Sequence, residues 1–386
     1  MNTEELIQSF HENFGENGNK PEVFFSPGRV NLIGEHTDYN GGYVFPCALD
    51  FGTKLVIRKN ELNKYRFVTT NFDDKAELPS KTGLEKKNNH WYNYPMGVID
   101  QFNKRGIRFT GLDFLFSGDI PNGAGLSSSA SIETVTAFAL NELFDLGFEK
   151  MEMVKLCQKA ENEFVGVNCG IMDQFAVMMG EKDHALFLNC ATLEYEKVPL
   201  KMDGYKLIIS NTNKRRGLAD SKYNERRSQC ETAVELLSLE NPIENLSAIS
   251  FDDFQNQKAL IKEEIVQQRA KHVISENYRV LLAIDALKAN RLEQFGKLMN
   301  ESHDSLREDY EVTGVELDSL VEEARKVDGV LGSRMTGAGF GGCTVSLVKE
   351  DAIDEFKKKV GEGYYEKTGL IADFYIAEVG EGARRI

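Results

Sequence analysis

The chain has 386 residues, 41% hydrophobic and 28% charged, the make-up of a globular protein with room for two cores of roughly 150–200 residues each. Its net charge is −15 with no block rich in Lys and Arg, which excludes the basic footprint of a nucleic-acid binder, and no apolar run reaches the ~18 residues of a membrane span. Six cysteines are scattered without a CxxC pair, which reads against structural zinc and a disulfide framework and for a reducing, cytoplasmic setting.

The first residues lack an apolar core followed by a small-residue cleavage site, so they do not read as a secretory signal. Leu6, Ile7, Phe10 and Phe14 recur instead at helical spacing, with Asn2 or Thr3 available as a cap, and a docked surface helix is expected. Residues 23–25, 54–58, 65–69 and 112–116 are β-prone runs bounded by Gly, Pro, Asn or Asp. Helices are predicted over 131–144, with Ile132, Val135, Ala139 and Leu143 on one face, and over 151–164. From 251 to 325 the pattern is helical, and it returns to a strand at 343–348, where Cys343, Val345 and Leu347 alternate with Thr344, Ser346 and Val348. A helix at 353–360 and a strand near 370–379 follow. Strands and helices mix without regular βα alternation, so the fold class expected is α+β, with domains at 1–200 and 201–386.

Three constellations carry chemistry. Pro121-Asn-Gly-Ala-Gly-Leu-Ser-Ser-Ser-Ala130 joins a strand to a helix. Its glycines let backbone approach a ligand, and unpaired N–H groups with the helix dipole make such a junction an anion site. A plain Gly/Ser helix cap is the alternative, and no Walker A pattern GxxxxGK[ST] occurs in the chain. Met335-Thr-Gly-Ala-Gly-Phe-Gly-Gly-Cys343 formally satisfies GxGxxG through Gly337, Gly339 and Gly342. The dinucleotide fingerprint needs a helix after the glycines, whereas a strand follows, so a tight turn buttressing the phosphate loop is the better reading. Residues 27–39, PGRVNLIGEHTDY, pack Arg29, Asn31, Glu35, His36 and Asp38 among apolar residues. Those donors and acceptors suit vicinal sugar hydroxyls, and a metal site or an ordinary polar loop are the rivals.

Three such motifs in this order resemble the GHMP kinase superfamily. The segment at 27–39 is similar to the galactose-binding signature of the galactokinase family. CGIMDQF (169–175), SKYNERRSQC (221–230), RAKHVISENYRV (269–280) and SHDSLREDYEVT (302–313) extend the resemblance over nearly the whole chain. It implies a two-domain fold with the active site in the cleft between an N-terminal mixed-sheet domain and a C-terminal α/β-sandwich domain. The implied reaction is transfer of the γ-phosphoryl group of ATP to the C1 hydroxyl of galactose, the first step of galactose catabolism.

By the same resemblance, Asp173 is the catalytic aspartate and Arg29 the arginine beside it. Glu35, His36, Thr37, Asp38, Gly170 and Tyr223, with Asp173, meet the sugar. Gly123, Ala124, Gly125, Leu126, Ser127, Ser128 and Ser129 form the ATP phosphate loop, Trp91 lines the adenine pocket, and Ser129 and Glu161 hold Mg²⁺. Galactose and ATP are the partners implied, with no nucleic acid, no membrane and no obligatory protein partner. Two relatives set the competing readings. One is a kinase for N-acetylgalactosamine, which needs extra room at C2. The other is a regulatory sensor of galactose and ATP, a branch altered in the GLSSSA loop that is intact here.

Overall fold

The computed structural model describes residues 1–16, 18–81, 83–121, 124–214, 219–240 and 242–386. The elements run α1 (Thr3–Phe14), β1 (Glu22–Asn31), β2 (Tyr43–Val44), β3 (Pro46–Asn60), β4 (Lys64–Thr69), β5 (Ala76–Pro79), α2 (Asn93–Lys104) and β6 (Gly111–Gly118). Next come α3 (Ser128–Phe144), α4 (Lys150–Lys159), α5 (Met172–Met179), β7 (His184–Asn189), β8 (Tyr195–Pro199) and β9 (Tyr205–Asn211). The remainder is α6 (Ala219–Leu237), α7 (Phe251–Gln257), α8 (Glu264–Lys288), α9 (Leu292–Ser305), α10 (Gly314–Ala324), β10 (Val330–Thr336), β11 (Cys343–Lys349), α11 (Ile353–Thr368), β12 (Asp373–Ala377) and β13 (Arg384–Arg385).

Six strands in the order β13-β1-β3-β6-β4-β5 make the first sheet, antiparallel except where β4 pairs with β6. Leu55, Phe67, Phe114 and Phe116 of this sheet pack against α2 to α5 through Met96, Phe102, Val135, Leu140, Leu156 and Phe175. On the opposite face α1 buries Leu6 and Phe10 against Val23, Val56 and Leu115. Of the two caps expected, Asn2 is the one used, in a reciprocal box with Glu5: Glu5 N–H donates to Asn2 Oδ1 at 2.9 Å, and Asn2 N–H donates to Glu5 Oε2 at 2.8 Å.

The second sheet, β10-β11-β9-β12, is antiparallel and covered on both faces. Cys343, Val345 and Leu347 of β11 join Val30, Leu32, Phe295 and Leu298 in one cluster. Val348 lies on the other side with Leu320 of α10 and Phe356 of α11. The alternation read in β11 is therefore real, but its polar members are buried too; Ser346 and Ser333 hydroxyls pair at 2.8 Å. No helix among the described residues is long and apolar enough to cross a membrane.

Two elements depart from expectation. The helix predicted over 151–164 ends as α4 at Lys159 and continues as a π-turn, Ala160–Val165, in which the N–H groups of Gly166 and Val167 both reach the Glu161 carbonyl. Such a bulge rotates side chains off the helical register, here around Glu161. The run at 23–25 is part of a ten-residue strand, because it pairs with the long β3 almost to its end.

Candidate active site

Between the 29–38 segment, the start of α5 and the turn after β10, a cavity of about 260 Å³ is walled by Arg29, Glu35, His36, Asp38, Glu161, Gly170, Asp173, Tyr223 and Gly337, among others. Arg29 enters it from β1. The β1–β3 register shifts between Pro27 and Arg29, opposite Gly52, where a Cβ would lie 2.1 Å from the Ser26 carbonyl oxygen. The bulge re-aims Arg29 beneath the 124–127 loop. Arg29 N–H donates to Leu126 O at 3.1 Å, and Nη1 donates to Gly125 O at 2.7 Å.

The rest of the Arg29 fork closes on Asp173, in the first turn of α5: Nε to Oδ1 at 2.9 Å and Nη2 to Oδ2 at 2.8 Å. The Ser127 hydroxyl adds a third donor to Oδ2 at 2.6 Å. Arg29 is 4% exposed while the Asp173 side chain is 30% exposed, so the cation is buried behind the carboxylate and the carboxylate faces the cleft. A bidentate, charge-assisted pair of this kind fixes the position and orientation of both side chains.

The loop above the pair fits an anion. Gly125 and Ser127 both have positive φ, at 76° and 63°, and Ser128 and Ser129 open α3 with first-turn N–H groups that have no intrahelical partner. Gly123 lies outside the described residues. The 337–342 turn does buttress this loop: a Cβ on Gly337 would lie 2.9 Å from Gly125 O, and β11 follows it antiparallel to β10.

Behind Asp173 sits a carboxylate pair that sequence reasoning half missed. Gln174 Nε2 bridges Glu161 Oε2 at 2.6 Å and Glu133 Oε2 at 3.2 Å, and Glu133 Oε1 is buried without a partner. Burial first, then the Asp173 charge, raises Glu161 to about 7, against hydrogen bonds from Ser129 and Cys169 that lower it. Burial and Glu161 together push Glu133 well above the usual carboxylate range. Clustered carboxylates with an orphaned oxygen suit a divalent cation that keeps waters or phosphate oxygens as its other ligands. No cluster of three or more His, Cys, Asp or Glu side chains among the described residues forms an all-protein cage. The Cys169 thiol is raised by burial and the same carboxylates, which leaves it protonated rather than reactive.

On the opposite wall stand the residues of the 27–39 segment. Gly34 and His36 take positive φ, 95° and 62°, and turn the chain so that Glu35, His36 and Asp38 face the cavity. Glu35 Oε1 accepts from Gly337 N–H at 2.7 Å. His36 Nδ1 lies 2.9 Å from the Tyr39 hydroxyl, which lies 2.8 Å from that of Tyr310, while His36 Nε2 is buried without a partner. Burial, then the neighbouring His272, lowers His36 to about 3, so it is neutral. Burial, then Asp173, raises Asp38 to about 7. Gly170 is the residue that leaves Asp38 room: a Cβ there would sit 1.8 Å from Asp38 Oδ2. Tyr223, on α6, closes the side with its ring centroid 5.6 Å from that of His36.

Two expected residues are not brought to this cavity. Thr37 is fully buried and gives its hydroxyl to the carbonyls of Gly34 and Tyr43, at 2.9 and 2.7 Å, so it shapes the turn. Trp91 donates Nε1–H to Asp74 O at 3.0 Å and packs edge-on to Phe116 of β6, the strand that precedes the Gly125–Ser127 loop. Gln174, Glu133 and Gly337 were not singled out as ligand neighbours, because an amide or a backbone N–H carries no motif of its own.

Comparison with known proteins agrees with this geometry. Family models match the galactokinase galactose-binding signature over residues 8–59, the GHMP kinases N terminal domain over 93–181 and the GHMP kinases C terminal over 283–366. The galactokinase of Fusobacterium nucleatum is 55% identical over 387 residues, covering 99% of each chain, and that of Clostridium acetobutylicum is 56% identical, covering 94% of each. Bacillus subtilis galactokinase is 50% identical with 99% coverage of both. Among solved structures, Lactococcus lactis galactokinase complexed with galactose superposes with a TM-score of 0.97 at 44% identity over 99% of each chain. Methanococcus jannaschii mevalonate kinase shares the fold alone, at a TM-score of 0.66 and 20% identity.

Proposed function

The chain belongs to the galactokinase family of the GHMP kinases, ATP-dependent sugar kinases, and from that premise we propose that it transfers the γ-phosphoryl group of ATP to the C1 hydroxyl of galactose. The observation that carries the reading is the Arg29–Asp173 pair: it touches the Gly125 carbonyl of the phosphate loop on one side and shares a cavity with Glu35, His36 and Asp38 on the other. One guanidinium thus sits where nucleotide and sugar must meet.

Galactose is held by Glu35, Asp38 and the neutral His36, whose unpartnered Nε2 can meet one hydroxyl, with the ring against Tyr223 and Gly170. Asp173 accepts the C1 hydroxyl proton, its carboxylate oriented by three donors. Arg29 spreads the charge of the phosphoryl group in flight, and the N–H groups opening α3 hold the phosphates. Ser129 and Glu161 would hold Mg²⁺, which when bound neutralises phosphate charge. Most of the catalytic power is positioning, because phosphoryl transfer asks little covalent chemistry of the protein.

The division at 200/201 is supported by the second sheet starting at Tyr205; β13 crosses it by returning to pair with β1. A cytoplasmic location is supported by the absence of any disulfide among the described cysteines. ADP release measured with galactose, glucose and N-acetylgalactosamine, each with and without Mg²⁺, tests the assignment. Galactose-dependent, Mg²⁺-dependent release is expected; release with N-acetylgalactosamine but not galactose would move the assignment to the other sugar.

A further inference from the structure

We propose that Arg334, backed by Glu276, is a positioning residue for sugar recognition: from the second sheet it holds the Glu35 carboxylate aimed into the cleft. The inference rests on the reading above that Glu35 meets the sugar.

Arg334 lies on β10 and is fully buried, as is Glu276 on α8; Glu35 is 2% exposed. The guanidinium stands between two carboxylates. Nη1 donates to Asn31 O at 2.9 Å and lies 3.4 Å from Glu35 Oε1, and Nη2 lies 3.9 Å from Glu276 Oε1. Glu276 in turn accepts from Gly34 N–H at 2.9 Å, from the Ser302 hydroxyl at 2.5 Å and from Arg279 Nε at 2.7 Å. Charges therefore alternate from Glu35 through Arg334 and Glu276 to Arg279, the first three out of water and Arg279 13% exposed.

The Arg334 and Gly337 contacts to the Glu35 carboxylate both fall on Oε1, with the Asn31 amide also beside the group, so the second oxygen keeps acceptor capacity for a sugar hydroxyl. A buried carboxylate without a cation takes up a proton and becomes a donor on one oxygen, losing the acceptor geometry. Arg334 is only weakly hydrogen-bonded for its cost: Nε and Nη2 are buried without a partner. A residue kept only for packing gains nothing from that arrangement, whereas an electrostatic anchor for Glu35 requires the charge there. The same ties cross between the two halves of the chain, since Thr336 Oγ1 also meets Asn31 and His272 Nε2 meets Glu35 O. The groups facing Glu35 are Arg29 from β1, His36 and Asp38 from its own segment, Arg334 from β10, and His272 and Glu276 from α8.

The test compares Arg334→Met, Arg334→Lys and Glu35→Gln by kcat and by KM for galactose and for ATP, from about pH 6.5 to 9.5, with melting temperatures alongside. Loss of one charge-assisted contact predicts a galactose KM raised about ten-fold or more at neutral pH in Arg334→Met, with the ATP KM within about two-fold. Burial already raises Glu35 and Arg334 lowers it, so the variant's deficit narrows as pH rises and the carboxylate re-forms. Glu35→Gln shows a deficit independent of pH, and Arg334→Lys recovers part of the loss. If Arg334→Met does not fold, Arg334→Lys carries the comparison. A near-normal galactose KM in the arginine variants with Glu35→Gln impaired overturns this inference alone. Both KM values rising together without pH dependence also overturns it, as a merely structural role. A normal galactose KM in Glu35→Gln overturns the sugar role of Glu35 instead.

Discussion

Replacing Asp173 with Asn removes the charge while keeping the shape, and the structure sets what should follow. Three donors converge on the carboxylate: Arg29 Nε, Arg29 Nη2 and the Ser127 hydroxyl. An asparagine offers one acceptor oxygen and one NH₂ group. The Ser127 hydroxyl can rotate and accept from that NH₂, but one N–H of the buried Arg29 then faces a donor. Leaving it unpaired costs about 1–3 kcal/mol of stability, moderated because the Asp173 side chain is 30% exposed. That loss leaves the protein folded. The catalytic loss is separate: a general base contributes about 10²–10⁴-fold, so kcat should fall about 10³-fold, or ~4 kcal/mol of barrier. ATP affinity should stay near normal, because Gly125 and the start of α3 are untouched. The assay is steady-state ADP release with galactose saturating, beside calorimetric titration with ATP. A folded Asp173→Asn protein that keeps more than about a tenth of wild-type kcat would refute proton acceptance by Asp173.

Gly170→Ala should leave the fold intact but drive Asp38 from its place, since the new Cβ would meet Oδ2 at 1.8 Å; a galactose KM raised about ten-fold with little change for ATP is expected from kinetics in both substrates. Gly337→Ala combines a φ of +85° with a Cβ 2.9 Å from Gly125 O, so ATP binding by calorimetry should weaken more than galactose binding, and the reverse order would contradict the buttress. For Asp38, burial raises the carboxyl from 3.8 to about 7. Between those values the folded chain keeps a proton that the unfolded chain has shed, so stability falls as pH rises through the window, by up to ~4 kcal/mol. Without sugar, Asp38→Asn should therefore gain on the wild type in denaturant unfolding from about pH 4 to 7 and no further above it; a difference flat across that range contradicts the assignment.

Much of this was legible in the sequence because the motifs are local. A strand-to-helix junction with Gly125 and a serine run, a turn with positive-φ glycines before a strand, and a dense polar segment at 27–39 each announce a backbone shape. The rejection of a dinucleotide fingerprint at Gly337, Gly339 and Gly342 held because β11, not a helix, follows. What stayed hidden is what distant segments do to one another. Glu133 reads as a helix residue until Gln174 brings it to Glu161. Arg334 lies in a stretch that carries no reading at all until β10 sets it against Glu35, 299 positions away. The π-turn that carries Glu161 has no sequence signal, since Ala160–Val165 keeps helical composition. Thr37 shows the opposite failure: it stands inside the most specific motif, yet its hydroxyl is used by the turn that presents its neighbours.

On the reading proposed above, Arg29 and Asp173 direct the γ-phosphoryl group of ATP onto the C1 hydroxyl of galactose. Incubation with ATP, Mg²⁺ and galactose labelled with ¹³C at C1, followed by ³¹P and ¹³C NMR, tests it most directly. The account predicts a new phosphate ester whose phosphorus is coupled to the labelled carbon, formed by the wild type and not by Asp173→Asn. An ester on any other carbon, or no ester from galactose at all, would contradict it.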